Sequence, residues 1–243
     1  MFVPCADCPM RQLPSFRSNE PQEIEFIQSF KQAHRALPSG STLVHEGHAV
    51  GELFTLFSGW AFRYCTLSDG RRQILNFLLP GDFFGLQERL NEQSPHGVEA
   101  LTDVELCVFP AAGLWDLFKN HPGLGYDVTW LAAHEERIVD MNLVSVGRRS
   151  AAERVAMLLI HLHKRATLLG LVDESGGVPF PMNQSHLADA LGLSLVHTNK
   201  TMSRLRQLEL YALRGGRLYL PQPHALQQLA DYYESPLPPR PLV

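Results

Sequence analysis

The chain has 243 residues, 45% apolar and 19% charged, long enough for one large or two modest packed domains. No run approaches the ~18 apolar residues of a membrane helix, and the opening MFVPCADCPM lacks the basic and apolar regions of a signal peptide, so a cytoplasmic protein is expected. The net charge of −4 is unevenly spread: residues 1–146 carry 10 Lys+Arg against 18 Asp+Glu, whereas residues 147–220 carry 10 against 5. A basic module on an acidic body is the asymmetry expected when one part meets phosphate and the other does not.

Residues 1–40 hold Cys5 and Cys8 ahead of a helical stretch. Residues 41–112 contain the short apolar runs ELFTLF, WAFRYCTL, QILNFLL and VELCVF, divided by Ser58-Gly59, Ser68-Asp69-Gly70 and Pro80-Gly81-Asp82. Short strands with Gly-bearing turns read as a compact antiparallel β barrel or roll, with Asp69-Gly70 as a hairpin turn. Residues 113–146 turn helical, first to Lys119 and then, past His121-Pro122, to about Val144. Along the longer helix, Val128, Leu131, Glu135, Ile138, Val139 and Asn142 are the expected seam to a second copy, a seam interrupted by polar residues.

The helix is expected to break at Val146-Gly147-Arg148-Arg149, and Ser150-Ala151-Ala152-Glu153 has the form of a capping box opening the next one. That helix carries Val155, Leu158, Leu159 and Leu162 inward and ends near Gly170, before the loop DESGGVP. Residues 147–222 then read as a winged helix-turn-helix. Asn183 caps the first helix, Leu187, Ala188 and Leu191 face inward, and Gly192 sits where the turn requires a left-handed residue.

The second helix starts near Ser194 and places Leu195, Thr198, Met202 and Leu205 inward on a 3.6-residue wheel. Val196, Asn199, Lys200, Ser203 and Arg204 then face outward as base-reading candidates, because amides suit adenine, Lys and Arg suit guanine, and an apolar group suits the thymine methyl. Asn183, Gln184, Ser185, His197, Arg206, Arg214 and Arg217 are the candidates for the DNA backbone. Leu213 to Leu220 reads as a two-stranded wing turned by Gly215-Gly216. Within residues 223–243, the stretch SPLPPRPLV is expected to be a disordered end.

This order of parts resembles the Crp/Fnr superfamily of bacterial transcription regulators, through LFTLFSGWAFRY, DGRRQILNFLLPGDFFG, LCVFP, SAAERVAMLLIHL and LADALGLS. The resemblance implies an α+β chain: an N-terminal cyclic-nucleotide-binding-like β-roll, a long dimerisation helix and a C-terminal winged helix-turn-helix. It implies a homodimer on an inverted repeat in double-stranded DNA, working with RNA polymerase and without a membrane. Cyclic-nucleotide sensors of the superfamily clamp the phosphate with a Gly-Glu and an Arg-Ser pair. The matching residues here are Gly85-Leu86-Gln87-Glu88 and Pro95-His96-Gly97-Val98-Glu99-Ala100, without the arginine, so no cyclic AMP is expected. Haem-ligand positions of carbon-monoxide sensors fall on Gly85 and Gln87, so no haem is expected either. His96 reads as a surface-loop histidine, and Cys65 as core.

Oxygen-sensing members resemble this chain at Cys5-Ala6-Asp7-Cys8 and at Cys107, where their cysteines hold an iron–sulfur cluster; Pro14 stands in place of the third N-terminal cysteine. With Cys5, Cys8 and Cys107 alone, a cluster completed by another ligand, a zinc site, a redox thiol pair and packed relics are all compatible with the residues. Two further classes compete: a metal-dependent enzyme built on His121, His134, His161 and His163, which lacks any H-E-x-x-H or nucleophile elbow, and a β-roll answering to an unidentified small molecule.

Overall fold

The computed structural model describes residues 3–49, 51–87, 93–233 and 238–243. Glu88, part of the expected cyclic-nucleotide match, lies outside the described residues. The chain forms two compact units, one of Met1–Cys65, Phe77–Ile138 and Leu237–Val243, the other of Thr66–Asn76 and Val139–Pro236.

The first unit opens with two short 3-10 turns, Cys5–Asp7 and Pro9–Gln12, and helix α1 (Pro21–Phe30), whose first turn is closed by a reciprocal box between Glu20 and Glu23. The roll follows: β1 (Ala33–Leu37), β2 (Thr42–Val44), β3 (Glu52–Ser58), β4 (Ala61–Thr66), β5 (Arg72–Leu78), β6 (Phe83–Phe84), β7 (Gly97–Ala100) and β8 (Val104–Pro110). These strands order as β1-β8-β3-β6 and β2-β7-β4-β5. The roll thus begins at Ala33, ahead of the apolar runs that first reveal it; β1 reads AHRAL, and its polar residues hide its strand character.

Strand alternation explains how one sheet serves two cores. On β3, Phe54 and Leu56 enter the core of the roll beside Val98, Leu106 and Val108, while Leu53 joins a second core with Phe109, Ile27 and Phe30. The second core is completed by α2 (Leu114–Asn120) and the 27-residue α3 (Pro122–Arg148), through Leu117, Leu124, Val128 and Leu131. Pro122 separates the two helices and opens the second, a position where its missing N–H costs nothing.

This packing corrects the expected seam. Val128, Leu131 and Ile138 are buried within the chain itself, Glu135 pairs with the buried Arg63 across 3.4 Å, Asn142 Nδ2 donates to the Leu75 carbonyl at 2.6 Å, and Val139 is half-buried. The exposed side of α3 instead carries Tyr126, Thr129, Ala133, Glu136, Asp140, Leu143 and Gly147, spaced alternately by three and four residues. Gly147 also fails to break the helix, which runs on to Arg148.

In the second unit α4 (Ala151–Leu168) buries Val155, Leu159 and Leu162 and is followed by β9 (Val178–Pro179), α5 (Gln184–Leu191), α6 (Leu195–Gln207), β10 (Ala212–Arg214), β11 (Arg217–Tyr219) and α7 (Pro223–Ala230). The wing has three strands, ordered β10-β11-β9, where the sequence reads two; β9 is only two residues long, too short for any periodicity. Residues 238–243 also depart from the expected disordered end, since Leu242 and Val243 are buried in the first unit.

His96 is not a surface histidine: it is 4% exposed, and burial, helped by the nearby Arg63 charge, pushes its pKa down to about 4. Cys65 is half-buried and not core, its Sγ 3.4 Å from the Pro95 carbonyl. Because the unfolded chain protonates His96 near its ordinary 6.5 and the folded chain does not until about 4, stability is expected to fall as pH drops through that window, by up to roughly 3 kcal/mol from this group. Urea unfolding of wild type and His96→Gln between pH 7 and 4 checks this: the variant should show a flatter pH dependence.

Candidate functional site

The helix-turn-helix is assembled from local signals that the structure bears out. Asn183 Oδ1 accepts the His186 N–H at 2.9 Å, and the His186 ring returns the contact to the Asn183 N–H. Such caps satisfy donors a helix start leaves open and contribute about 1 kcal/mol each. Gly192 ends α5 at φ +62°, the left-handed conformation the turn needs. Ser194 Oγ then accepts the His197 N–H at 3.2 Å and starts α6.

Along α6 the buried side chains are Thr198, Thr201, Met202 and Leu205. Leu195, expected inward, is 45% exposed because it is the first residue after the cap, before the helix settles onto α5; Thr201 takes the inward place the wheel did not assign. Val196 (79% exposed), Lys200, Ser203 and Arg204 stand out from the helix, as do His197 and Arg206. Asn199 is half-buried, and its Oδ1 has no hydrogen-bond partner. An amide oxygen left open inside the protein favours any ligand that lets the side chain turn outward and pair.

One feature of the face was missed from sequence. The start of α4 lies beside α6, and the two enclose an open cleft of about 710 Å³ lined by Ser150, Ala151, Ser194, His197, Lys200 and Arg204. Ser150 caps its helix by accepting the Glu153 N–H. Two helix starts, each with partial positive charge, therefore share a cleft with a lysine and an arginine, an arrangement suited to a phosphate oxyanion. The S-x-x-E box marks a helix start in the sequence; nothing local shows which element it will face.

In the wing, Gly215 and Gly216 both take positive φ, +56° and +73°, the pair of a tight hairpin turn. Arg214 is exposed beside it. Arg217 corrects the expectation of a backbone contact: it pairs with Asp173 at 2.6 Å and donates to the Leu171 and Gly177 carbonyls, both at 2.8 Å. Asp173 organises the loop in turn. Hydrogen bonds from the Gly177 N–H and the Ser175 hydroxyl, with Arg217 a smaller influence, hold its carboxyl down at about 2. Gln184 and Ser185 are exposed at the start of α5.

The cysteines form a second locus, in the first unit. Cys5 and Cys8 are buried and Cys107 half-buried, and Arg11 lies within electrostatic reach of all three. Arg11 Nε donates to the Cys5 carbonyl at 2.9 Å, and the Cys5 N–H to Gln28 Oε1 at 2.7 Å. Burial pushes the Cys107 thiol up to about 11, with Lys31 pulling the other way. These residues do not fit a four-thiolate cluster: the fourth position is Pro14, and among the described residues no group of three or more His, Cys, Asp or Glu is placed to hold a metal ion. His121, His134, His161 and His163 form no such group either. In the roll, the buried Arg63 is already paired with Glu135, so that cation is committed within the protein.

Comparison with known proteins matches residues 34–121 to a cyclic nucleotide-binding domain and residues 153–229 to a Crp-like helix-turn-helix domain. The chain is 32% identical to the nitrogen fixation regulation protein FixK of Bradyrhizobium diazoefficiens, over 93% of each chain. It is 27% identical to the transcriptional activator protein FnrL of Cereibacter sphaeroides, over 96% of this chain and 95% of that one. Among solved structures, FixK2 from Bradyrhizobium japonicum superposes with a TM-score of 0.73 at 24% identity, covering 84% of this chain and 98% of that one. A CRP/FNR-family regulator from Thermus thermophilus gives 0.67 at 19%, covering 82% and 98%.

The wing arginines should separate cleanly. Arg214→Ala is expected to weaken binding to duplex DNA and lower the slope of log affinity against log salt by about 1, while leaving thermal stability alone. Arg217→Ala is expected to lower the melting temperature by breaking the loop it holds. Anisotropy titrations at several salt concentrations, beside thermal melts, read both.

Proposed function

The chain belongs to the Crp/Fnr family of transcription regulators, and from that premise we propose that it binds an inverted repeat in double-stranded DNA as a homodimer, under a redox signal received at its cysteines. The observation that carries the DNA reading is the doubly capped cleft of α4 and α6, from which Val196, Lys200, Ser203 and Arg204 project. In this reading α6 enters the major groove. Lys200 and Arg204 address guanine, Asn199 adenine, and Val196 a thymine methyl. Ser150, His197, Arg206 and Arg214 hold phosphates, as do Asn183, Gln184 and Ser185 at the start of α5. Two such units reach half-sites about one helical turn apart, and the bound dimer works with RNA polymerase in the cytoplasm. No helix of the described chain is long and apolar enough to cross a membrane.

For the dimer, the support is the exposed stripe of α3, where Tyr126 and Leu143 are 64% and 70% exposed on a helix whose other face is filled. For the signal, the support is the meeting of Cys5, Cys8 and Cys107 around Arg11. A cyclic nucleotide is disfavoured because the clamping arginine is absent and Arg63 is taken by Glu135. Haem is not part of the proposal. Since the ligand set is short of four thiolates, the signal is assigned to the thiols themselves and not to a cluster.

Two measurements test this. By sedimentation, Leu143→Arg is expected to weaken the dimer by about tenfold or more with an unchanged melt, whereas Ile138→Ala should cost ~2–5 kcal/mol of fold stability. Anaerobic purification should yield a colourless protein without stoichiometric iron and sulfide; a brown protein whose iron and sulfide vanish in Cys107→Ala would overturn the thiol reading and establish a cluster.

A further inference from the structure

Residues 238–243 return to the first unit and dock there, with Arg240 as the anchor. Its guanidinium pairs with Asp82 across 2.9 Å, the two side chains only 14% and 2% exposed, and lies 5.0 Å over the ring of Phe16. Asp82 is held in place because its other oxygen accepts the Leu79 N–H at 2.7 Å. The backbone repeats the contact: Phe16 and Arg240 form a parallel bridge, with the Arg17 N–H donating to the Arg240 carbonyl and the Arg240 N–H to the Ser15 carbonyl, both at 2.9 Å. Phe16 in turn lies so close over Gly81 that a Cβ there would stand 2.4 Å from its ring. Past Arg240, Leu242 and Val243 are buried, Val243 in the same apolar cluster as Cys5, and the Thr55 hydroxyl donates to the Val243 carbonyl at 2.7 Å.

These contacts fall on residues 15–17, at the end of the stretch that carries Cys5 and Cys8, and on the apolar cluster of Cys5. Residues 3–19 contain only two 3-10 turns and form no sheet of their own, so their position depends on outside contacts. Lys31 Nζ donates to the Val3 carbonyl at 2.7 Å, and Arg17 pairs with the buried Asp127 at 2.5 Å. The strongest run of backbone pairing is with residue 240, on either side of Phe16.

We propose that residues 238–243 are a strap: a basic, proline-flanked apolar peptide seated in a groove of Phe16, Thr55, Gly81 and Asp82, which clamps the N-terminal segment closed and sets how readily reagents reach Cys5 and Cys8. By linkage, any change at Cys5 that cannot be accommodated beside Val243 loosens the strap by the same factor that the strap suppresses that change. The proposal concerns access to the thiols and stands whether or not they receive the signal, so its failure and that of the redox reading are separable.

The test is alkylation of the full-length protein with iodoacetamide at neutral pH, read by mass spectrometry at each cysteine, with half-buried Cys65 as the internal control. Arg240→Glu, and separately removal of residues 238–243, should raise the labelling rates of Cys5 and Cys8 by about tenfold or more, in step with the population of the opened segment, and leave Cys65 unchanged. Arg240→Lys should keep most of the protection. Equal rates at Cys5 and Cys8 in wild type and Arg240→Glu would overturn the strap. A rise at Cys65 in parallel would also overturn it, since that would report general loosening.

Discussion

The burial of Leu124, Val128, Leu131 and Ile138 decides which side of a 27-residue helix faces inward, and the assignments made to that helix follow from it. Each such side chain contributes on the order of 1.5–3 kcal/mol by leaving water, far more than the few tenths of a surface contact, so the helix cannot rotate to offer them to a second copy. Glu135 and Asn142 lock the same orientation with polar contacts, to Arg63 and to the Leu75 carbonyl. What remains for a partner is the opposite stripe, poorer in apolar surface, which suits an association that a signal can tip. At about 1.5 Å per residue the 27-residue helix is ~40 Å long.

In the DNA-binding unit the controlling theme is the satisfaction of helix starts. Ser150, Asn183 and Ser194 each accept an N–H from three residues on, and two of these starts open into one cleft with Lys200 and Arg204. The remaining free donors and the cations attract phosphate together, and this positions the reading face without specifying a sequence. In the proposed reading, specificity falls to Val196, Asn199 and their neighbours. Arg217 illustrates the division of labour: a cation on the wing is spent on Asp173 to shape the wing, and only Arg214 is left outside.

Much of this was legible in the chain because the signals are local. The Gly192 turn, the Ser194 and Ser150 caps and the Gly215-Gly216 hairpin are written within a few residues of where they act, and the structure bears them out. The readings that changed depended on distant partners. The α3 periodicity gave an apolar face without saying what would cover it, and the roll claimed it. Arg217 and His96 look like any other basic or imidazole side chain until Asp173 is brought beside the one, and burial, with Arg63 nearby, closes over the other. The proline-rich tail reads as a disordered end, yet residues 238–243 dock because an Arg–Asp pair and two buried apolar side chains hold them. The cysteine set is an intermediate case: the resemblance named Cys5, Cys8 and Cys107 as one set from residues about a hundred positions apart, and the fold places all three within electrostatic reach of Arg11.

The central claim is that α6 reads DNA as one half of a symmetric pair. Selection of bound duplexes from a random pool by the intact protein, in parallel with Val196→Glu, tests it most directly. The account predicts an enriched inverted repeat whose half-sites carry thymine at one fixed position in the wild type and cytosine there in the variant, because Glu accepts from the cytosine amine where Val meets the thymine methyl. Enrichment of no inverted repeat, or of the same half-site by both proteins, would contradict it.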